Sequence, residues 1–194
     1  VESMDDIDHA LAGAAPGTIF VGARALGRAL AARLVTPVKF EPPKLRGPIA
    51  VAVGSYDPIT LGQVGRLRKN GVPVLPAPGG RFDGTVPKNA VVVLQATEGP
   101  VSKPAAEVAS AFAKSFRNIS QGCKSLILTG GATAEAVLDE FGIRTLDVIG
   151  EIIPGLPISR AGDLYIVTKS GGFGGEDTLE GLVELEQDAA CRKK

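Results

Sequence analysis

Short, almost uninterrupted apolar runs alternate with helix-like segments along most of this chain. The run at residues 49–53 (IAVAV) leads into a segment that opens with proline, and the run at residues 90–96 (AVVVLQA) leads into one with Phe112 and Phe116 a helical turn apart. Strands that are apolar on both faces are typical of parallel sheets covered by helices on both sides. The alternation predicts an α/β fold, a three-layer α/β/α sandwich with a mainly parallel, Rossmann-like sheet.

Breaker residues set the expected boundaries between elements. Four prolines between residues 35 and 48 can continue neither a helix nor a strand, so we predict a linker and a domain boundary there, with one part at residues 1–47 and another at residues 48–194. The predicted strands cover residues 18–22, 49–53, 72–75, 90–96, 126–129, 145–152 and 163–168. The predicted helices follow at residues 23–34, at 58–70, at 102–120 with Ser102 as cap, after Gly130, and near the C-terminus.

Charge, composition and cysteine content argue against several classes of function. Lysine plus arginine and aspartate plus glutamate number 21 each, whereas nucleic-acid binding requires a broad basic surface. The apolar runs are too short to cross a bilayer, and the first residues lack a signal-peptide layout. Cys123 and Cys191 form no C-x-x-C pair, and the single histidine, His9, lies in a polar stretch. We expect a cytoplasmic protein with no nucleic-acid partner, no membrane partner and no bound metal of its own.

Three strand-to-helix loops contain glycine, at residues 54–57 (GSYD), 130–133 (GGAT) and 170–175 (SGGFGG). Ligands of open parallel sheets bind outside the carboxyl ends of the strands, so these loops are expected at one edge. Glycine lets backbone amides approach a ligand, and a helix N-terminus adds free donors and partial positive charge. The loops are therefore candidates for binding phosphate or another anion.

Side chains beside the loops add further donors. The hydroxyls of Ser55 and Thr133 can donate to phosphate oxygens, and Lys169, at the end of its strand, can add a full charge. The alternative for each loop is a tight turn that permits close helix packing, and this alternative stays open. The loops match neither a P-loop nor the G-x-G-x-x-G fingerprint, which disfavours a dinucleotide-dependent oxidoreductase.

Four of the acidic residues in the last third of the chain are candidates for a cation site, namely Glu151, Asp163, Glu176 and Asp177. Carboxylates of this kind can hold Mg²⁺ through water. Capping of the last helix by Glu176 or Asp177 is the alternative.

Three segments, LILTGGATAEAVLDEFGI, GEIIPGLPISR and VTKSGGFGGEDTL, occur in this order and close together. This combination resembles the nucleotide-binding C-terminal domain of the four-carbon acid sugar kinase family (DUF1537). Members carry a Gly-Gly-x-Thr turn, a Glu-Ile-x-Pro-Gly-x-Pro segment and a Lys-Ser-Gly-x-Phe-Gly motif. The segment VAVGSYDPITLGQVGRL resembles the family's Gly-Ser-x-Ser-x-x-Thr-x-x-Gln turn, and FVGARALGRALA resembles the segment that joins the two domains. The likeness covers most of the chain.

The resemblance implies an ATP-dependent kinase that uses Mg²⁺ and phosphorylates the 4-hydroxyl of threonate, erythronate or 3-oxo-tetronate. It implies that residues 1–47 are the end of an acid-sugar domain and the connection, that residues 48–194 are the nucleotide domain, and that the rest of the acid-sugar domain, with the catalytic base, is missing. Homo-oligomerisation stays open. Asp57 departs from the family pattern, which has a small hydroxyl residue there. The residues that would line the ATP site are Ser55, Gly130, Gly131, Ala132, Thr133, Gly171, Gly172 and Gly174.

A non-catalytic module that binds a nucleotide or a small anion is the rival interpretation. It would share the glycine loops but phosphorylate nothing.

Overall fold

The computed structural model describes residues 3–36 and 40–191, with side chains in the last helix described as far as Glu184. The helices are α1 (Met4–Ala12), α2 (Arg24–Leu34), α3 (Pro58–Lys69), α4 (Ala105–Ile119), α5 (Gly131–Glu140) and α6 (Thr178–Cys191). The strands are β1 (Ile49–Val53), β2 (Val74–Pro78), β3 (Val91–Thr97), β4 (Ser125–Thr129), β5 (Asp147–Ile153), β6 (Leu156–Ala161) and β7 (Leu164–Lys169).

The chain divides into two compact units, Val1–Glu41 and Pro42–Lys194. The first unit contains α1 and α2. Helix α1 begins with a capping box, in which the Ser3 hydroxyl accepts from the Asp6 amide at 3.2 Å and the Asp6 carboxylate accepts from the Ser3 amide at 3.1 Å. His9 lies exposed on α1.

The strand predicted at residues 18–22 does not form, and that prediction is wrong. The segment is irregular, and the side chains of Ile19 and Val21 are 87% and 92% exposed. A strand is stable only when its backbone groups pair with a neighbouring strand. Residues 3–36 offer this segment no such neighbour.

The second unit is built on a seven-stranded sheet in the order β2-β3-β1-β4-β7-β6-β5. From β2 to β7 neighbouring strands run parallel, whereas β6 pairs antiparallel with both β7 and β5. The prediction of a mainly parallel sheet is confirmed. Because β2 lies outside β3, the strand order differs from that of a Rossmann sheet, in which the second strand is next to the first.

Strand β6 was missed by the sequence analysis. It forms the middle of a meander, joined to β5 by a turn at Gly155 and to β7 by a turn at Gly162, both with positive φ. Pro157 lies inside β6. Proline has no backbone N–H to donate to a neighbouring strand, so a proline in a short apolar run argues against a strand. Here the segment is nevertheless a strand, because residues 158–161 pair with β7.

Helices cover both faces of the sheet and complete the three layers. On one face, α3 and α6 pack on the strands through Val64, Leu67, Leu179, Leu182 and Val183. On the other face, α4 and α5 contribute Phe112, Ala113, Phe116, Ile119, Ala134 and Val137. The three-layer prediction is confirmed.

The start of α4 differs from the prediction. Its N-cap is Pro104, with no side-chain hydrogen bond, so Ser102 does not cap it. A residue before proline is disfavoured in the helical region, which keeps Lys103 and the residues before it out of the helix.

Among the described helices, none combines the length and the apolar character needed to span a bilayer.

Candidate functional site

The three glycine-containing loops follow three adjacent strands, β1, β4 and β7. The last residues of these strands, Val53, Thr129 and Lys169, are Cα partners across the sheet. The loops therefore start at the same level of one sheet edge, as the sequence predicted. Helices α3 and α6 leave this edge on one face and α5 on the other, which opens a crevice between the loops.

The turn between β4 and α5 depends on Gly130, whose φ of +93° is one that side-chain-bearing residues rarely adopt. Helix α5 begins directly after it and has no side-chain cap in the described structure. The first amides of an α-helix have no intrahelical partner, so Gly131, Ala132 and Thr133 present unpaired donors. A Cβ placed on Gly131 would have no atom within 4 Å beyond its own helix and chain neighbours, so there is open space beside this residue.

Gly54 and Thr133 hold the β1 and β4 loops against each other. A Cβ on Gly54 would lie 1.9 Å from Thr133 Oγ1, so only glycine allows this approach. Gly54 therefore permits close packing, which is the alternative that the sequence analysis gave for each glycine loop. Thr133 is half-buried.

Asp57 closes the N-terminus of α3. Its Oδ1 accepts a hydrogen bond from the Ile59 amide at 2.9 Å, and its own amide donates to Ser55 Oγ at 3.2 Å. Its Oδ2 would be 3.0 Å from a Cβ on Gly172, so the carboxylate lies against the third loop. The residue that departs from the family pattern thus acts as a helix cap and places a negative charge where the loops meet.

The third loop rests on side chains that lie beneath it. Lys169 is 2% exposed, and its ammonium donates to the carbonyls of Ser170 at 3.0 Å and Gly171 at 3.1 Å and to Thr60 Oγ1 at 3.2 Å. Burial lowers the pKa of Lys169, and the charge of Asp57 acts in the opposite direction. All three ammonium protons have partners within the protein. Lys169 therefore supports the loop and brings its positive charge beneath it.

Two residues of α3 that the sequence analysis did not single out complete this support. Thr60 donates to the Gly171 carbonyl, and Gln63 Nε2 donates to the carbonyls of Phe173 at 3.1 Å and Gly175 at 2.7 Å. Both side chains are fully buried. A signal was present in the sequence, since both lie on the helix face that carries Val64 and Leu67 toward the sheet.

The four acidic residues considered as cation ligands are not gathered into one site. Asp163 precedes β7 whereas Glu176 and Asp177 follow its carboxyl end, so they lie at opposite edges of the sheet. Glu180, as hydrogen-bond partner and by its charge, raises the pKa of Arg66, with smaller contributions from Asp177 and Glu176. In the part of the chain that the structure describes, no three His, Cys, Asp or Glu residues are close enough to hold a metal together.

The edge of the sheet thus brings together all the residues predicted to line a nucleotide site. They lie in the three adjacent loops at Ser55, Gly130, Gly131, Ala132, Thr133, Gly171, Gly172 and Gly174. Their role in binding stays a prediction.

Comparison with known proteins identifies the family. The profile of the family described as "nucleotide-binding C-terminal domain" matches residues 83–179, half of the chain. A 3-oxo-tetronate kinase of Haemophilus influenzae is 33% identical over 99 residues, which are 50% of this chain and 24% of that protein. A 3-oxo-tetronate kinase of Cupriavidus necator is 28% identical over 169 residues, covering 71% of this chain and 38% of the relative. The chain thus spans well under half the length of these relatives.

Solved structures agree on the fold. A Haemophilus influenzae protein of the DUF1537 family superposes with a TM-score of 0.64 at 21% identity, over 97% of this chain and 52% of that one. A Bordetella bronchiseptica DUF1537 protein, described as a domain-swapped dimer with bound citrate, gives 0.62 at 23% identity, over 83% of this chain and 44% of that one. The chain belongs to the four-carbon acid sugar kinase family and represents its nucleotide-binding C-terminal domain.

Proposed function

We propose that this chain is the ATP-binding part of a kinase that phosphorylates the 4-hydroxyl of threonate, erythronate or 3-oxo-tetronate. The observation that carries the proposal is the meeting of three glycine-containing loops at the ends of adjacent strands β1, β4 and β7. Family membership and the kinase names of the relatives support it.

The loops fit the triphosphate of ATP. The uncapped N-terminus of α5 offers amides with open space at Gly131, and helix N-termini favour anions through unpaired donors and partial positive charge. The predicted ATP-lining residues, from Ser55 to Gly174, keep that role as part of this proposal.

Mg²⁺ fits as a companion of the nucleotide rather than as a resident ion. Mg²⁺ keeps several waters and binds through one or two carboxylates and substrate phosphates. Asp57 is a carboxylate at this edge, lying against Gly172. When bound with ATP, the ion supplies neutralisation of phosphate charge.

The acceptor acid is proposed to bind a separate N-terminal domain, with residues 1–47 as its end and connection and residues 48–194 as the nucleotide domain. Phosphoryl transfer requires an acceptor hydroxyl in line with the γ-phosphate, near a group that takes its proton. Exposed Ile19 and Val21, in a segment with a strand-like sequence, support a missing neighbour. Closure of two domains would exclude water from the reacting phosphate.

A non-catalytic nucleotide or anion-binding module is the second candidate. Asp57 favours it, because this chain has a carboxylate where the kinase family carries a small hydroxyl residue.

Calorimetric titration of the purified chain with Mg-ATP tests the binding proposal. We expect measurable heat and a rise in melting temperature. A folded chain that gives neither at millimolar ATP contradicts the proposal.

A coupled assay for ADP release distinguishes the two candidates. We expect no acid-dependent turnover by residues 1–194 alone, and turnover with one of the three acids once an N-terminal acid-sugar domain is supplied. ATP binding without turnover in the two-domain protein favours the non-catalytic module, and acid-dependent turnover by residues 1–194 alone overturns the two-domain account.

A further inference from the structure

We propose that Lys169, Thr60 and Gln63 are positioning residues that turn the amides of the 170–175 loop outward, so that this loop holds nucleotide phosphate through its backbone. The inference rests on the proposed binding of a nucleotide at this edge of the sheet. It assigns the three buried side chains a role in ligand binding that is exerted entirely through the loop.

The donors beneath the loop face its carbonyl groups. The buried side chains together donate to the carbonyl oxygens of Ser170, Gly171, Phe173 and Gly175. Thr60 and Gln63 are 0% exposed and Lys169 is 2% exposed, so these carbonyls are directed into the protein. Ser170, Gly172 and Gly174 themselves are exposed.

Peptide geometry then fixes where the amides point. In a trans peptide the carbonyl of one residue and the amide of the next point in opposite directions, and the peptides of this loop are trans. Inward carbonyls at residues 170, 171 and 173 therefore turn the amides of Gly171, Gly172 and Gly174 outward. Within the described residues, none of these three amides has a hydrogen-bond acceptor.

The difference between paired carbonyls and unpaired glycine amides distinguishes a loop suited to binding from one that is only well packed. A loop stabilised only for its own sake would pair its amides as well as its carbonyls, because both are strong hydrogen-bonding groups. Here the carbonyls are satisfied by buried donors and, at Ser170, also by the Phe173 amide at 3.2 Å, whereas the amides of Gly171, Gly172 and Gly174 are left toward solvent. Neighbouring outward amides, such as those of Gly171 and Gly172, suit an anion.

Lys169 adds charge to this arrangement without touching the ligand. Its ammonium is held under the loop by the Ser170 and Gly171 carbonyls and by Thr60. Asp57 lies against Gly172 and opposes an anion there. The buried ammonium and the Asp57 carboxylate therefore act in opposite directions on an anion at this loop.

A matched pair of substitutions tests the proposal. Thr60→Val removes the hydroxyl that joins Lys169 to the loop, whereas Thr129→Val makes the same change at an equally buried threonine whose hydroxyl has no partner in the described structure. Thr60→Ser restores the hydroxyl and serves as the rescue. Each variant of the full chain is titrated with Mg-ATP and with inorganic pyrophosphate, and its melting temperature is measured separately.

We expect Thr60→Val to weaken both ligands by about tenfold or more, the loss associated with charge-assisted hydrogen bonds. Thr60→Ser and Thr129→Val should bind within about twofold of wild type, which is below the smallest loss expected for one such bond. In the wild-type chain, nuclear magnetic resonance should show the amide signals of Gly171, Gly172 and Gly174 moving on addition of either ligand.

Each contrary result has a definite meaning. If wild type binds Mg-ATP while these three signals stay still, the inference is wrong and the proposed function stands. If wild type binds neither ligand, both are wrong. Folded Thr60→Val with wild-type affinity also overturns the inference. If Thr60→Val does not fold, Gln63→Met is titrated in its place. The amide signals of Gly171, Gly172 and Gly174 in the wild-type chain then test the inference independently.

Discussion

Helices α3 and α5 begin at the same edge of the sheet, after the adjacent strands β1 and β4, yet their N-termini differ. The first amides of α3 are capped by the Asp57 carboxylate, whereas α5 follows Gly130 with no side-chain cap in the described structure. The Asp57 side chain accepts a hydrogen bond from the first turn of α3, whereas no side chain does so for α5 in the described structure. Topology therefore brings both helix ends to the candidate site, and the residue at the cap determines which can receive an anion.

The largest expected effect comes from blocking the open helix end with Gly131→Val. A Cβ here meets no atom within 4 Å, so stability should change little, and the positive φ of this turn belongs to Gly130 rather than Gly131. The branched side chain would fill the approach to the α5 amides and weaken ATP binding by about tenfold to a hundredfold, equivalent to losing one charge-assisted contact. Calorimetry measures the affinity and thermal unfolding the stability.

Gly62→Val is the matched control for this change. Gly62 lies on α3, is exposed, and also has no atom within 4 Å of a Cβ. Its substitution should leave the affinity unchanged. Equal losses at both positions, or a Gly131→Val variant that binds normally, would mean that the open end of α5 does not receive the ligand.

A second change separates the two loops that now touch. Gly54→Ala would bring its Cβ to 1.9 Å from Thr133 Oγ1, and overpacking of this kind costs about 1–3 kcal/mol. Chemical denaturation measures the loss. Combining Gly54→Ala with Thr133→Ala removes the hydroxyl and should recover part of the stability, and an undisturbed single variant would show that the loops are further apart than described.

The smallest expected effect comes from opening the closed helix end with Asp57→Ser. Serine keeps the N-cap and removes the charge, so α3 should stay intact. Affinity for ATP without Mg²⁺ should rise about twofold to fivefold, in line with a solvent-screened charge interaction of about 0.5–1 kcal/mol. Titrations with and without Mg²⁺ provide the measurement.

Asp57→Ala separates the two roles of this side chain. It removes both the charge and the cap, so it should lower stability by about 1 kcal/mol while affecting ATP binding as serine does. Weaker binding in Asp57→Ser would instead identify the carboxylate as a useful ligand for the cation that accompanies ATP.

Local elements of the candidate site could be predicted from sequence because their rules are local. The stretch LILTGGATAEAV indicated a strand, a glycine turn and a helix, and the structure has β4, Gly130 with positive φ, and α5. The same rules failed for residues 18–22, whose apolar pattern indicated a strand that has no partner among residues 3–36. An apolar pattern indicates that a segment can form a strand, but the strand forms only where another strand is available to pair with it.

The support of the third loop could not be predicted in this way. Thr60 and Gln63 bind carbonyls that lie 110–112 residues further along the chain. Both lie on the helix face that packs on the sheet, but their acceptors are backbone atoms of a loop that reaches them only when β7 lies beside β4. The acceptors of the Lys169 ammonium, among them Thr60 on α3, could not be identified from its own motif for the same reason.

By itself, the sequence determined the α/β class, the three glycine-containing loops and the resemblance to the sugar-acid kinase family, because strand propensity, turn chemistry and motifs depend on residues close together in the chain. Only the tertiary structure decided that β1, β4 and β7 are neighbours, that β6 forms a strand, and that Asp57 and Lys169 face into the protein's own loops. Strand order and the pairing of buried polar groups are settled by contacts between distant segments, where every donor and acceptor removed from water must find a partner.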